Sequence, residues 1–180
     1  MKRIVLGTLS LALALALAAV ELAAAAVPPL TGPNAPPPNI AELTLPTGRL
    51  AYVSASARAA GFIDLDHVDH GADGIVTGVL LRIYDPGIPS RGMVAVQTVA
   101  RMRWFCSKHV SQELGVQAFD EDGALVIWLP PDSPEPVRPN TGSELLARFL
   151  CEGAELPAGD VLTGHANALS EGRRLLRAAR

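Results

Sequence analysis

The chain has 180 residues and a formal net charge of −3, from 15 basic and 18 acidic side chains. That length suits one domain behind a short leader. The mild acidity argues against nucleic acid, or an anionic membrane surface, as a general partner.

Lys2 and Arg3 precede an unbroken apolar or small run from Ile4 to Val20, and Ala23 to Ala26 follow Glu21. Positive charge, apolar core and small-residue tail, in that order, predict a secretory signal over residues 1–26, cleaved after Ala25 or Ala26. The alternative is an uncleaved anchor, for which about 17 apolar residues lie at the short limit of a bilayer span. No second long apolar run follows, so no integral membrane segment is expected after cleavage. Residues 27–49 carry Pro28, Pro29, Pro33, Pro36, Pro37, Pro38 and Pro46 and read as an extended linker.

From residue 50 the pattern turns to strands. Ala51–Ala55 is a weak candidate, and Phe62–Val68 follows, ending in the turn-rich 69–74. Ile75–Tyr84 is a strong β run, closed by Asp85-Pro86-Gly87. Met93–Cys106 has the clearest alternation. Val94, Val96, Thr98, Ala100, Met102, Trp104 and Cys106 share one face, and Gln97, Arg101 and Arg103 the other, which predicts a half-buried antiparallel strand. Val110–Phe119 and Ala124–Leu129 flank an Asp120-Glu121-Asp122-Gly123 turn, and a proline-rich connection spans 130–139.

Thr141 and Glu144 form a capping box. The helix behind it carries Leu145, Leu146, Phe149 and Leu150, and ends at Gly153. A second helix is expected over 159–179, weakened by Gly164 and Gly172, with Arg173, Arg174, Arg177 and Arg180 suited to its C-terminus. A strand meander followed by helices predicts an α+β fold, an antiparallel sheet with a helix on one face.

Cys106 ends the best strand and Cys151 ends the first helix. Two cysteines in an exported chain read first as a disulfide, here stapling helix to sheet. The competing reading is a reactive thiol at Cys106, with Lys108 and His109 nearby to lower its pKa.

The stretch from Phe62 to Cys151 resembles the surface-adhesin protein E family. The residues that carry the resemblance are Phe62–Val68, Ile75–Tyr84, Trp104-Phe105-Cys106, the Phe119–Gly123 hairpin, Trp128 before a proline stretch, and Gly142–Leu146 leading to Cys151. The resemblance implies a family domain over 50–153, a six-stranded antiparallel sheet with a helix tied to it through Cys106 and Cys151; the helical extension expected over 154–180 departs from the family, whose domain ends near its second cysteine. It also implies an envelope or surface protein whose named member adheres to host matrix and plasma proteins.

Asp64, Asp66, His67, Asp69, His70 and Asp73 are the densest ionisable cluster, and such side chains suit zinc or a related ion. Regular strand alternation puts Asp64 and Asp66 on one face and His67 on the other, so no metal site is expected without a bend. The 120–123 turn lacks the later glutamate of a calcium loop. Neither a nucleophile elbow nor a phosphate loop is present. No cofactor and no enzymatic activity are expected.

Arg101 and Arg103, with Lys108 and His109 beyond them, form a candidate basic patch for an acidic protein partner. The expected function is therefore a protein-binding module of the periplasm, cell surface or secreted space, with an envelope or extracellular-matrix protein as partner. The alternatives are a periplasmic structural or assembly module and a metal-dependent enzyme.

Overall fold

The computed structural model describes residues 43–90 and 92–180. The expected signal peptide, and the proline-rich stretch as far as residue 42, lie outside the described residues. Six long strands follow one another: β1 (Arg49–Ala55), β2 (Ala59–His70), β3 (Ile75–Ser90), β4 (Met93–Phe105), β5 (Val110–Phe119) and β6 (Leu125–Leu129). Two strands of two residues, β7 (Glu135–Pro136) and β8 (Leu162–Thr163), complete an open antiparallel sheet. Its order is β6-β5-β4-β3-β2-β1-β8, with β7 beside β5. The helices are α1 (Gly142–Glu152) and α2 (His165–Ala178). The fold is α+β, as the element order predicts.

The helices cover opposite faces of the sheet. Side chains alternate along a strand, and neighbours here fall into different cores. Ile63, Leu80, Met102 and Trp104 pack with Leu146 and Leu150 of α1. Phe62, Leu81, Ile83 and Val99 pack with Ala168 and Leu176 of α2. This corrects the half-buried reading of β4. Alternation puts Gln97 on the open face, yet it is 1 % exposed, and Val99 is fully buried. A central strand between two helical layers buries both faces over most of its length. The same side is open at the strand's first residue, Met93, and opens again toward its C-terminal end, at Arg101 and Arg103.

Other departures have local causes. Asp85-Pro86-Gly87 does not close β3. Pairing with β4 lapses after Ile83 and resumes at Ile88 opposite Ala95. Pro86 lacks an N–H, and an irregularity in the ladder accommodates it where a regular strand could not. Gly87 lets β4 approach, since a Cβ there would lie 2.5 Å from Val94 Cγ1 and 2.8 Å from the Ala95 carbonyl.

The second helix starts at His165, later than the expected 159, because Leu162 and Thr163 pair with Leu50 and Arg49 in extended conformation. Gly164 (φ +75°) then turns the chain, and the N–H groups of Gly164 and His165 donate to the Gly48 and Pro46 carbonyls. Those contacts, and Leu43 at 5 % exposure, pack the end of the expected linker against the sheet. Gly172 does not interrupt α2. Ala168, Gly172 and Leu176, spaced four apart, form its buried stripe.

The start of α1 keeps the hydroxyl half of the capping reading and moves the carboxylate half one residue back, from Thr141 to Asn140. The Thr141 hydroxyl accepts from the Glu144 N–H (3.3 Å), and the Glu144 carboxylate accepts from the N–H of Asn140 (2.7 Å). Gly153, at φ +70°, ends the helix in the left-handed conformation that glycine adopts without a Cβ penalty.

Candidate functional site

Cys106 and Cys151 are joined in a disulfide with a Cα–Cα distance of 5.5 Å. Cys106 opens a short 3-10 turn (Cys106–Lys108) after β4, and Cys151 lies in the last turn of α1. With both sulfurs bonded, the reactive-thiol reading of Cys106 falls away. The bridge fixes where β4 ends, and so fixes the residues on that strand's open stretch.

That stretch is the candidate site. Arg101 and Arg103 stand two residues apart on the face that α2 leaves open. Arg103 lies 6.0 Å above the centre of the Phe105 ring, and the Lys108 ammonium is also 6.0 Å from it. Such a ring face attracts cations. Among the described residues neither arginine, nor Lys108, has a carboxylate partner. A basic stripe of three cations results, two of them, Arg103 and Lys108, beside one aromatic ring. His109 is set apart from it. In left-handed conformation at the end of the 3-10 turn, it lines a small crevice beside Cys106 and Cys151.

Facing the stripe across a groove of about 540 Å³ are Asp66, His67 and Asp69 of β2, with Thr77 and Val79 of β3 between them. The strand register builds this arrangement: Asp64 pairs with Val79, and Val79 with Arg101. Part of the acidic cluster, Asp66, His67 and Asp69, and the two arginines, 32 or more positions away in sequence, thus become two walls of one groove.

The bend that regular alternation lacks is present. Between Asp64 and Asp69 the ladder shifts, so that β2 advances five residues while β3 advances two. The bulge carries the His67 ring over to Asp64, whose Oδ2 lies 2.8 Å from Nδ1. This corrects the opposite-face placement. Asp64 is 1 % exposed and also accepts from the Asp66 N–H, at 3.0 Å. Asp66 is drawn away toward Arg49, accepting from its N–H and its Nε, both at 2.8 Å. The Arg49 backbone N–H and then its guanidinium hold the Asp66 carboxyl below its ordinary 3.8.

His70 and Asp73 stay exposed at the end of β2 and in the turn beyond it. Among the described residues, no three His, Cys, Asp or Glu side chains come together as a metal site would require. In the 120–123 turn, Asp120 Oδ1 accepts from the N–H groups of Asp122 and Ala124, at 3.0 and 2.8 Å. Glu121 pairs with Arg173 of α2 at 2.8 Å. That hydrogen bond lowers the Glu121 carboxyl from its ordinary 4.5. Two of the turn's carboxylates are therefore already engaged within the fold.

The class these features define is an α+β domain with an antiparallel eight-stranded sheet and a helix disulfide-bonded to it. No family model matches the chain, and no curated protein matches it in sequence. Among solved structures, it is similar to protein E of Haemophilus influenzae in three determinations. Crystal form II has a TM-score of 0.46 at 16 % identity, covering 63 % of this chain and 98 % of that one. The selenomethionine form has a TM-score of 0.48 at 17 % identity, covering 61 % and 93 %. A third structure has a TM-score of 0.44 at 18 % identity, covering 62 % and 92 %. At these identities no residue of protein E is carried over to this chain. Among the described residues no helix is long and apolar enough to cross a membrane.

Proposed function

We propose that this is an exported, non-enzymatic module that works in the periplasm, at the cell surface or in the secreted space, and that it binds a protein partner through the β4 stripe. The observation that carries the reading is the stripe itself. Arg103 and Lys108 flank the Phe105 ring, Arg101 stands two residues before Arg103 on the same strand face, and none of the three has a carboxylate partner among the described residues. Arginine beside an aromatic ring is a typical energetic centre of a protein interface. The Cys106–Cys151 bond supports export, because structural disulfides persist in oxidising compartments. Adhesion to a host matrix or plasma protein is the specific form that the sequence resemblance implied. An envelope protein is the other partner class.

The test is binding of the oxidised protein to a panel of matrix, plasma and envelope proteins, beside an Arg101→Ala/Arg103→Ala/Lys108→Ala variant. Saturable binding that weakens with added salt, and falls roughly tenfold or more in the variant, is the expected result. Silence across the panel from a folded sample contradicts partner binding. Equal binding by the variant removes the stripe from the interface.

A further inference from the structure

On the opposite face of the sheet a second cleft, of about 800 Å³, opens beside the N-terminus of α1. Its floor is apolar: Val53, Leu80, Met102, Trp104 and Leu146. Small residues give it depth, Ser54 and Ala55 on β1 and Ala59 and Gly61 on β2, beside the longer Arg82 of β3. Packing does not demand glycine at 61. A Cβ there would make only ordinary contact, 3.8 Å from the Ser54 carbonyl oxygen and 4.0 Å from its hydroxyl. A volume of this size, with an apolar floor and a few polar groups on its rim, is typical of small-molecule sites.

The polar rim favours negative charge. Arg82 gives one amino group to Glu113 at 2.7 Å and keeps its remaining donors. Arg148 is 57 % exposed, with Glu152 no nearer than 4.0 Å. One acid, Glu144, lines the cleft, and its carboxylate accepts from the Asn140 N–H at 2.7 Å. The first N–H groups of a helix have no intrahelical acceptor, and those of α1 begin at Gly142 and Ser143, which line the cleft. Trp104, 1 % exposed, lines it too, and its indole N–H has no acceptor among the described residues.

We infer that this cleft binds a small amphipathic anion, with an apolar tail over Leu80, Met102 and Trp104 and a carboxylate or phosphate head between Arg82 and the start of α1. The site is independent of the β4 stripe, which lies on the other face of the sheet.

The test uses the oxidised full chain with Trp128→Phe, which leaves Trp104 as its one tryptophan. Its fluorescence is followed while laurate, dodecyl phosphate, dodecanol or dodecyltrimethylammonium is added below micelle formation. Laurate or dodecyl phosphate is expected to saturate the signal, with the neutral and cationic probes at least tenfold weaker. The stronger of the two anions identifies the head group. Gly61→Leu fills the cleft and should abolish binding, with Ala59→Leu as a second filling variant should the first not fold. Arg82→Gln should weaken the anions about tenfold and leave dodecanol unchanged. Arg101→Ala/Arg103→Ala should change nothing. Undiminished binding in a folded filling variant, equal binding of all four probes, or no saturable binding would each overturn the assignment.

Discussion

Replacing Cys106 and Cys151 with serine is expected to lower the melting temperature by roughly 10–15 °C. The bridge spans 45 residues, and closing a loop of that size limits the unfolded chain by about 4 kcal/mol on chain-entropy grounds. In a domain of this size each kcal/mol moves the midpoint by about 3–4 °C. A disulfide of that worth is a large share of an ordinary net stability of about 5–15 kcal/mol. The damage should be local first. α1 is otherwise held mainly through its two buried side chains, Leu146 and Leu150, so its amides should exchange faster while those of β3 and β4 stay protected. Adding a reductant to the wild type should reproduce the serine variant. A loss under 3 °C would mean that α1 is held by its packing alone.

Gly172→Ala is expected to destabilise the protein by about 1–3 kcal/mol, against the usual sign for a helix interior. In an open helix the same exchange gains about 1 kcal/mol. Here a Cβ would lie 2.8 Å from Ile83 Cβ, 2.9 Å from Cγ1 and 3.1 Å from Cγ2. Ile83 is fully buried in the middle of β3 and β-branched, so it cannot turn aside cheaply. The helix must lift, and lifting it loosens Ala168 and Leu176, both fully buried against the sheet. Overpacking costs of this kind run to about 1–3 kcal/mol. Ser170→Ala, at an exposed position of the same helix, is the control and should be neutral or slightly stabilising. Combined with Ile83→Ala, the Gly172→Ala loss should shrink in part, because Cγ1 and Cγ2 are gone while the Cβ at 2.8 Å stays. A stabilised Gly172→Ala protein would contradict the close seating of α2.

The parts of the fold that sequence made legible are those set by local chemistry. Alternation along β4, the Thr141–Glu144 cap, the stop at Gly153 and the pairing of two cysteines each depend on a few adjacent residues or on a compartment rule. What stayed hidden depends on register. The two walls of the groove come together only because Asp64, Val79 and Arg101 align across three strands. His67 reaches Asp64 only through a bulge that no periodicity announces. Gln97 reads as an outward residue because nothing in its own strand reveals that Ile83 and Phe119 will flank it in a buried layer. Gly172 looked like a weakness in α2, and its value appears only with Ile83 beneath it. The second cleft was equally illegible, since its depth is the absence of side chains at Ala59 and Gly61.

Every functional reading above requires that the chain fold where thiols oxidise. The most direct test is the intact mass of the native protein, taken from the cells that make it, with free thiols alkylated at lysis and the envelope and external fractions kept apart from the cytoplasm. The predicted result is a chain shortened by the leader, ending at Ala25 or Ala26, recovered outside the cytoplasm with no alkyl group and with the mass of one disulfide. A full-length chain in the cytoplasm, alkylated at both Cys106 and Cys151, would contradict it.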